Sequence, residues 1–185
     1  MAIVSDLAKK GLDALFTKAV TSHLILQPSD SIQIEPIPDY KRKAIEEKQF
    51  FILTIANFFF KVLVIFHVNH DEKTMAYFSR PDAELGFDDV FPEICNLCCG
   101  ALNRELGFYF PHLGMSTPYQ LDRDCLDFMD LLRPAHLSQF HIQVNGEVEL
   151  HATLCVCAYR PLDFRFDTLR ALAAPLEETG VLELF

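Results

Sequence analysis

Basic residues are scarce. The 185-residue sequence holds 16 lysines and arginines against 26 aspartates and glutamates, a formal net charge of −10. No basic run offsets this balance. Nucleic-acid binding depends on Lys and Arg neutralising phosphates, so the composition excludes nucleic acid as the expected partner. A phosphate carried by a protein stays open as a substrate if its carrier brings its own cation. A secretory leader is also lacking: Met1 to Leu26 reads as an amphipathic helix, without a positive stretch followed by an apolar one. The most apolar stretch, Phe50 to Val68, is interrupted in its middle by Asn57 and Lys61, which argues against a membrane span. Its two β-rich halves, Phe50–Ala56 and Phe60–Val68, meet around Asn57–Phe59 and predict a hairpin of core strands. With 50% apolar and 23% charged residues, the chain can bury a core, and its length suits a single domain over 1–185. The expectation is a cytoplasmic protein that engages no membrane.

The motifs of several chemistries are missing as well. There is no G-x-x-x-x-G-K to cradle a phosphate and no G-x-S-x-G around a nucleophilic serine. Ser116 near His112 is too isolated to serve as a nucleophile with its base. The seven histidines, at 23, 67, 70, 112, 136, 141 and 151, show no metal-ligand spacing. Six cysteines occur, and Cys95-x-x-Cys98 is the one pair with a metal-like spacing, but no second CxxC or HxxxH accompanies it. Cys95 and Cys98 fall within a helical stretch, and Cys155 and Cys157 alternate with Leu154 and Val156 on a strand. They are expected to be reduced and largely buried, with no metal bound. Long repeats and low-complexity segments are absent.

What is present reads as an α+β pattern, an antiparallel sheet with helices packed on it. Ser5 or Asp6 can cap a first helix on which Leu7, Leu12, Leu15, Phe16 and Val20 recur. Ile32 and Ile34, followed by Pro36 and Pro38, suit an edge strand. Asp39 to Lys48 is a charged connector. After the Phe50–Val68 hairpin, Asn69 or Asp71 starts a short helix through Phe78, stopped by Pro81. Asp88 to Leu106 is the longest helix, with Gly107 as its C-cap. A strand is expected over about 108–118, then a short helix whose inner face is Leu121, Cys125, Phe128, Met129 and Leu132. Asp122, Asp124, Asp127 and Asp130 would face solvent on it. A last hairpin joins Ser138–Val144 to Glu147–Tyr159. A loop of Val144, Asn145 and Gly146 would pair Ile142 with Val148 and Phe140 with Leu150, keeping one face apolar. His141 would then face Glu149. The tail from Asp167 carries a short helix broken by Pro175 and ends in the apolar run Val181–Phe185, expected to pack on the protein's own core, with a short linear docking motif as the alternative.

The long helix bears the most informative pattern. At about 100° per residue, Asp89, Glu93, Asn96, Gly100 and Asn103 fall within one narrow stripe. Almost everything else from Val90 to Leu102 is apolar. A polar stripe on so apolar a helix must meet water or polar partners. Asp89 can serve as the N-cap, placing Pro92 in the first turn, where its missing N–H does no harm. A glycine in mid-helix costs about 0.5–1 kcal/mol relative to alanine, and close approach of another molecule is one use for it. The stripe is thus either the solvent face of an amphipathic helix or a surface presenting Glu93 and Asn96 to a partner.

The run Asp89-Val90-Phe91-Pro92-Glu93-Ile94-Cys95-Asn96 resembles the motif of the CheC/CheX chemotaxis phosphatases: Asp or Ser, three residues, Glu, two residues, Asn. Asn96-Leu97-Cys98-Cys99-Gly100 resembles the family's Asn-x-x-x-Gly. Its later proline is matched by Pro118, with 21 residues between Asn96 and Pro118, one fewer than the family pattern. Cys98-Cys99 stands where small residues are usual. The resemblance spans roughly residues 49–159, with an N-terminal helix and edge strand (1–48) and a tail (160–185) outside it. One motif is found, as in CheX, which is a homodimer, rather than two as in CheC. The resemblance implies hydrolysis of the phospho-aspartate of a CheY-like receiver in two-component signalling. Asn96 would orient the water, and Glu93 would pair with the receiver's active-site lysine. Asp89, Gly100 and Asn103 would belong to the partner-binding surface. It implies no cofactor of the protein's own, Mg²⁺ being supplied by the phosphorylated receiver. Two alternatives remain: a non-catalytic module that binds a receiver or another signalling partner, and a structural dimerisation domain.

Overall fold

Two periodicities build the structure: a period of two along the strands and a helical period along the two long helices. In the computed structural model, which describes residues 3–38, 45, 47, 49–79 and 84–166, helix α1 (Asp6–His23) starts where Ser5 Oγ accepts the Ala8 N–H at 3.1 Å. That contact satisfies one of the helix's orphan donors. α1 buries Leu12, Leu15, Phe16, Ala19 and Val20 on one stripe, while Leu7, expected on that face, is exposed. Strands β1 (Ile32–Ile37), β2 (Gln49–Ala56) and β3 (Phe60–Val68) follow. Helix α2 (Glu72–Tyr77) is capped by Asp71, whose carboxylate accepts the Thr74 N–H at 3.0 Å. Next come α3 (Phe87–Gly107), β4 (Gly114–Met115), β5 (Tyr119–Asp122), a 3₁₀ segment (Arg123–Leu132), β6 (His136–Val144) and β7 (Val148–Ala158).

Among the described residues the seven strands form one antiparallel sheet in the order β1-β6-β7-β3-β2-β4, with β5 also pairing β2. The expected Phe50–Val68 hairpin is there, with Phe51 opposite Phe66 and Leu53 opposite Val64. Among the described residues no helix is long and apolar enough to cross a membrane. The near-continuous apolar run has a tertiary cause: β3 is central and covered on both faces. Phe60, Val62, Val64, Phe66 and Val68 face α1 and α3, while Leu63 and Ile65 face the other side. β7 divides likewise, Leu150, Ala152, Leu154 and Val156 to the helices, Cys155 and Cys157 away from them. Phe16 of α1 seats on this floor, 4.8 Å from Phe140 and 6.1 Å from Phe66 between ring centroids. Lys18 Nζ meets Glu105 Oε1 at 2.6 Å, tying α1 to α3. The chain from Leu162 to Phe166 crosses α1 at Gly11, where a Cβ would lie 2.9 Å from the Phe164 ring. Glycine there permits the crossing.

Several expected details are corrected. The 3₁₀ segment replaces a helix of α period: its side chains repeat every three residues, so Leu126, Met129 and Leu132 face the sheet. Leu121, Cys125 and Phe128, placed inside by a 3.6-residue reading, are exposed. The strand expected over 108–118 is only Gly114–Met115, with a second one at Tyr119–Asp122, both on β2. In the last hairpin the loop is Asn145-Gly146-Glu147, one residue later than expected. Asn145 and Gly146 both take positive φ, 53° and 69°, and the Glu147 N–H bonds the Val144 carbonyl at 3.1 Å. That turn leaves Glu147 as the extra residue and pairs Val144 with Val148, Ile142 with Leu150 and Phe140 with Ala152. The apolar face survives, because the shift is by two. His141 stands opposite His151, and Glu149 is its diagonal neighbour at 3.9 Å. Pro81 and the tail from Asp167 lie outside the described residues.

The face of the sheet away from the helices carries a row of imidazoles. His67, His151 and His141 are cross-strand neighbours on β3, β7 and β6. His67 Nε2 meets Thr153 Oγ1 at 2.9 Å, and its Nδ1 has no partner among the described residues. Glu47 bonds His151 Nδ1. Burial pushes His67 down from 6.5 to about 4, against the opposing pull of the Glu47 carboxylate. Between these two values the unfolded chain binds a proton that the folded protein refuses, so this contribution is present above pH 6.5 and lost as pH falls towards 4. Urea midpoints measured from pH 7 to pH 4 are expected to fall, with His67 accounting for on the order of 3 kcal/mol. His67→Gln should flatten the profile, and an unchanged pH slope in that variant would refute the assignment.

Candidate functional site

The N-terminal half of α3 rests on a bed of phenylalanines. Phe91 lies 5.3 Å from Phe51, 4.8 Å from Phe78 and 5.0 Å from Phe87, the last pair stacked. Val90, Ile94, Cys95, Cys98, Cys99, Ala101, Leu102 and Leu106 are buried along the same helix. Burial pushes the Cys99 thiol up to about 12 and raises Cys95 and Cys98 as well, so these thiols are unreactive packing groups. With that much of its circumference sealed, α3 has little freedom to rotate, and its remaining face is held in place.

That face carries the polar stripe. Asp89 and Glu93 are exposed, and Asn96, Gly100 and Asn103 are partly so. Glu93 and Asn96 lie one turn apart, and neither side chain has a hydrogen-bond partner among the described residues. Asp89 is not the N-cap. The helix starts earlier, with Gly86 as N-cap and Asp89 at the third helical position. There its carboxylate accepts the Gly86 N–H at 3.1 Å while its own N–H bonds the Gly86 carbonyl at 3.1 Å. The acidic end complements the helix dipole. Pro92 consequently sits inside the helix rather than in its first turn. At the other end the helix includes Gly107 and is capped by Phe108. Asn103 differs from the rest of the stripe: its amide oxygen is buried and lacks a partner among the described residues.

Gly100 is open. A Cβ there would meet only the Arg104 guanidinium, at 3.7 Å, an ordinary contact. The protein's own packing therefore does not require the glycine. Gly100→Ala is expected to raise stability by about 0.5–1 kcal/mol through helix propensity, read as a higher urea midpoint. A lower midpoint would mean that the fold needs the glycine.

Leu97 and Arg104 also lie on the exposed face, Leu97 at 39% exposure. The sequence reading passed over both, although helical angle alone places them beside Glu93 and Gly100.

Other chemistry finds little footing. Tertiary structure joins Asp13 of α1 to His136 and Ser138 of β6, which sequence spacing could not show. Ser138 Oγ donates to Asp13 Oδ1 at 2.7 Å and lies 2.8 Å from His136 Nε2, which is itself 3.2 Å from Asp13 Oδ1. One imidazole nitrogen faces both groups, so the carboxylate does not orient the ring through its second nitrogen as a serine triad requires. The triangle fastens α1 to the sheet. Ser116 Oγ accepts the Thr54 N–H and bonds the Thr117 carbonyl, both at 2.9 Å, so it serves strand pairing. Among the described residues no three His, Cys, Asp or Glu groups are arranged to hold a metal.

No family model and no curated protein matches the sequence. Solved structures do match. The CheX of a CheX–CheY–BeF₃–Mg²⁺ complex from Borrelia burgdorferi superposes with a TM-score of 0.56 at 12% identity, over 80% of this chain and 96% of the other. A chemotactic CheC-like protein from Shewanella oneidensis gives 0.51 at 9% identity, over 80% and 95%. CheX from Vibrio vulnificus gives 0.50 at 13% identity, over 82% and 99%. The α+β sheet with helices packed on one face thus has the CheC/CheX-type fold.

Proposed function

We propose that this protein is a phosphatase of a phosphorylated CheY-like receiver, acting in chemotaxis or related two-component signalling. The observation that carries the proposal is the presentation of Glu93 and Asn96, side by side and without partners among the described residues, on a helix whose other faces are buried. A CheX of the same fold has been captured with CheY, beryllofluoride and Mg²⁺, which supports a receiver as the partner.

The chemistry asks little of the phosphatase. The receiver's phospho-aspartate is an acyl phosphate with Mg²⁺ beside it. Water attacks the phosphorus in line, the bond from phosphorus to the aspartyl oxygen breaks, and the receiver's carboxylate and inorganic phosphate separate. Catalysis then rests on positioning and charge stabilisation. An amide suits this, since it donates and accepts hydrogen bonds without titrating, and Asn96 takes that role. Glu93 pairs with the receiver's active-site lysine and sets the docking register. Asp89, Gly100 and Asn103 belong to the contact surface around them. No cofactor or metal of the protein's own enters, and the site of action is the cytoplasm. Likeness to single-motif CheX, together with the outer edge of β1, which pairs only β6 among the described residues, supports assembly as a homodimer, which light scattering tests.

The decisive experiment measures phosphate release from a panel of phosphorylated receivers with and without the protein. Faster release from at least one supports the proposal. Tight binding without faster release makes a non-catalytic receiver-binding module the better reading.

A further inference from the structure

The stripe of α3 has a cationic end that the proposed chemistry does not use. Arg104 follows Gly100 by four residues, so the two share one line of the helix. Helical side chains lean towards the N-terminus, and the guanidinium lies against Gly100, 3.7 Å from where a Cβ would be. It thus rests low on the helix. That brings it to about 6 Å along the axis from the level of Asn96, four residues at 1.5 Å each.

The obvious structural roles for Arg104 are not filled. Its helical neighbours at three and four residues are Gly100, Ala101, Gly107 and Phe108, none of which offers a carboxylate for an ion pair. The adjacent Glu105 is taken by Lys18 at 2.6 Å. Arg104 forms no ion pair or hydrogen bond among the described residues. A cation in the last turn does favour the helix dipole, but this guanidinium folds back over mid-helix rather than onto the terminal carbonyls.

We infer that Arg104 is a docking residue that binds an anionic group on the receiver's phosphoryl-bearing face, and that with Glu93 it fixes the direction in which the receiver lies along α3. The inference rests on the receiver-phosphatase reading above. That reading supplies a partner of suitable chemistry, since a surface that carries a phosphoryl group and the carboxylates that hold Mg²⁺ is anionic. The stripe is polarised to match: Asp89 and Glu93 at one end, Arg104 at the other, with the uncharged Asn96, Leu97 and Gly100 between. A receiver laid on in reverse would set its lysine against Arg104 and its anions against Glu93. Juxtaposed like charges suppress the wrong orientation as effectively as the attractive pairs support the right one. Arginine suits the role because its planar fork can grip a carboxylate or phosphoryl group with two hydrogen bonds.

The test uses the full chain and a CheY-type receiver loaded with beryllofluoride and Mg²⁺, chosen as the one that binds tightest in the panel. Kd is measured by titration calorimetry and association rates by stopped flow, both at 50 and 300 mM salt with the beryllofluoride-loaded receiver, and phosphate release is measured from the phosphorylated form of the same receiver at saturating protein. Arg104→Glu should weaken binding by about tenfold or more at low salt, mostly in the association rate, with a smaller loss at high salt. Arg104→Lys should recover part of the loss. The release rate at saturation should stay within about twofold of the parent, because a docking residue is bound equally in ground and transition states. Far-ultraviolet dichroism and a urea midpoint verify that each variant is folded. An unchanged Kd in folded Arg104→Glu overturns the inference. A lost saturated rate at unchanged Kd also overturns it and moves Arg104 into the reaction itself. Receiver binding that depends on Arg104 without any phosphate release by the parent protein upholds the docking role while refuting the phosphatase reading. Failure to bind any receiver overturns both.

Discussion

Asn96→Ala should reduce phosphate release from a responsive receiver by roughly 10²–10³-fold, the usual cost of removing one well-placed donor at a reacting oxygen. The effect should fall on the saturated rate. An amide that orients water does its work in the transition state, so the affinity for a beryllofluoride-loaded receiver should stay nearly constant. Glu93→Ala should behave differently, weakening binding as well, since it removes a charged contact to the receiver's lysine. Neither substitution should unfold the protein: Glu93 is exposed, Asn96 is only partly buried, and the core beneath α3 is made by other residues. Single-turnover release with the protein in excess, set beside the binding titration, separates the two effects. Unchanged release by folded Asn96→Ala would remove the catalytic assignment, and weakened binding at an unchanged saturated rate would make Asn96 a contact residue.

The second large effect concerns the platform below the stripe. Phe91→Ala should destabilise the protein by about 3–5 kcal/mol, the range for a fully buried phenylalanine cut to alanine. Phe91 has no exposed surface, and its ring touches those of Phe51, Phe78 and Phe87. Those residues come from β2, the end of α2 and the first turn of α3, so the cavity would lie where three elements converge and could not close by moving one side chain. The measurement is the urea midpoint, with the slope of the transition compared with the parent's. A loss under about 1 kcal/mol would mean that the aromatic cluster repacks freely, and the argument for a rigidly held stripe would fail with it.

Much of this arrangement is written in local pattern. Ser5 and Asp71 each stand one residue before a helix and cap it as their side chains dictate. The stripe of α3 follows from counting residues on a helix, and it emerged on the exposed face because nearly all its neighbours are apolar. The details that went astray share a cause. Between a 3.6- and a 3.0-residue period, Arg123–Leu132 offers plausible inner faces either way. The underside of the sheet, where Leu126, Met129 and Leu132 meet Phe50 and Leu63, made the choice. The loop at Asn145 was settled by contacts 114 residues away, where the Ser31 N–H bonds the Asn145 side chain at 2.8 Å. The N-cap moved from Asp89 to Gly86 because aspartate serves equally well at the cap and at the third helical position.

The sequence by itself determined the fold class, the central hairpin, the identity of the long helix and the line of residues along its exposed side. These depend on period and on the chemistry of single positions, which any short window contains. Only the tertiary structure decided which strands are covered on both faces, how Asp13, His136 and Ser138 come together, and that His67 is sealed beside His151 in the centre of the sheet. It also decided that Arg104 rests on Gly100 with no counter-charge among the described residues. Each of these is a matter of burial and of partners distant along the chain. The cost of desolvating an imidazole, or the worth of an unpaired guanidinium, is set by what surrounds it in space rather than by what precedes it in sequence.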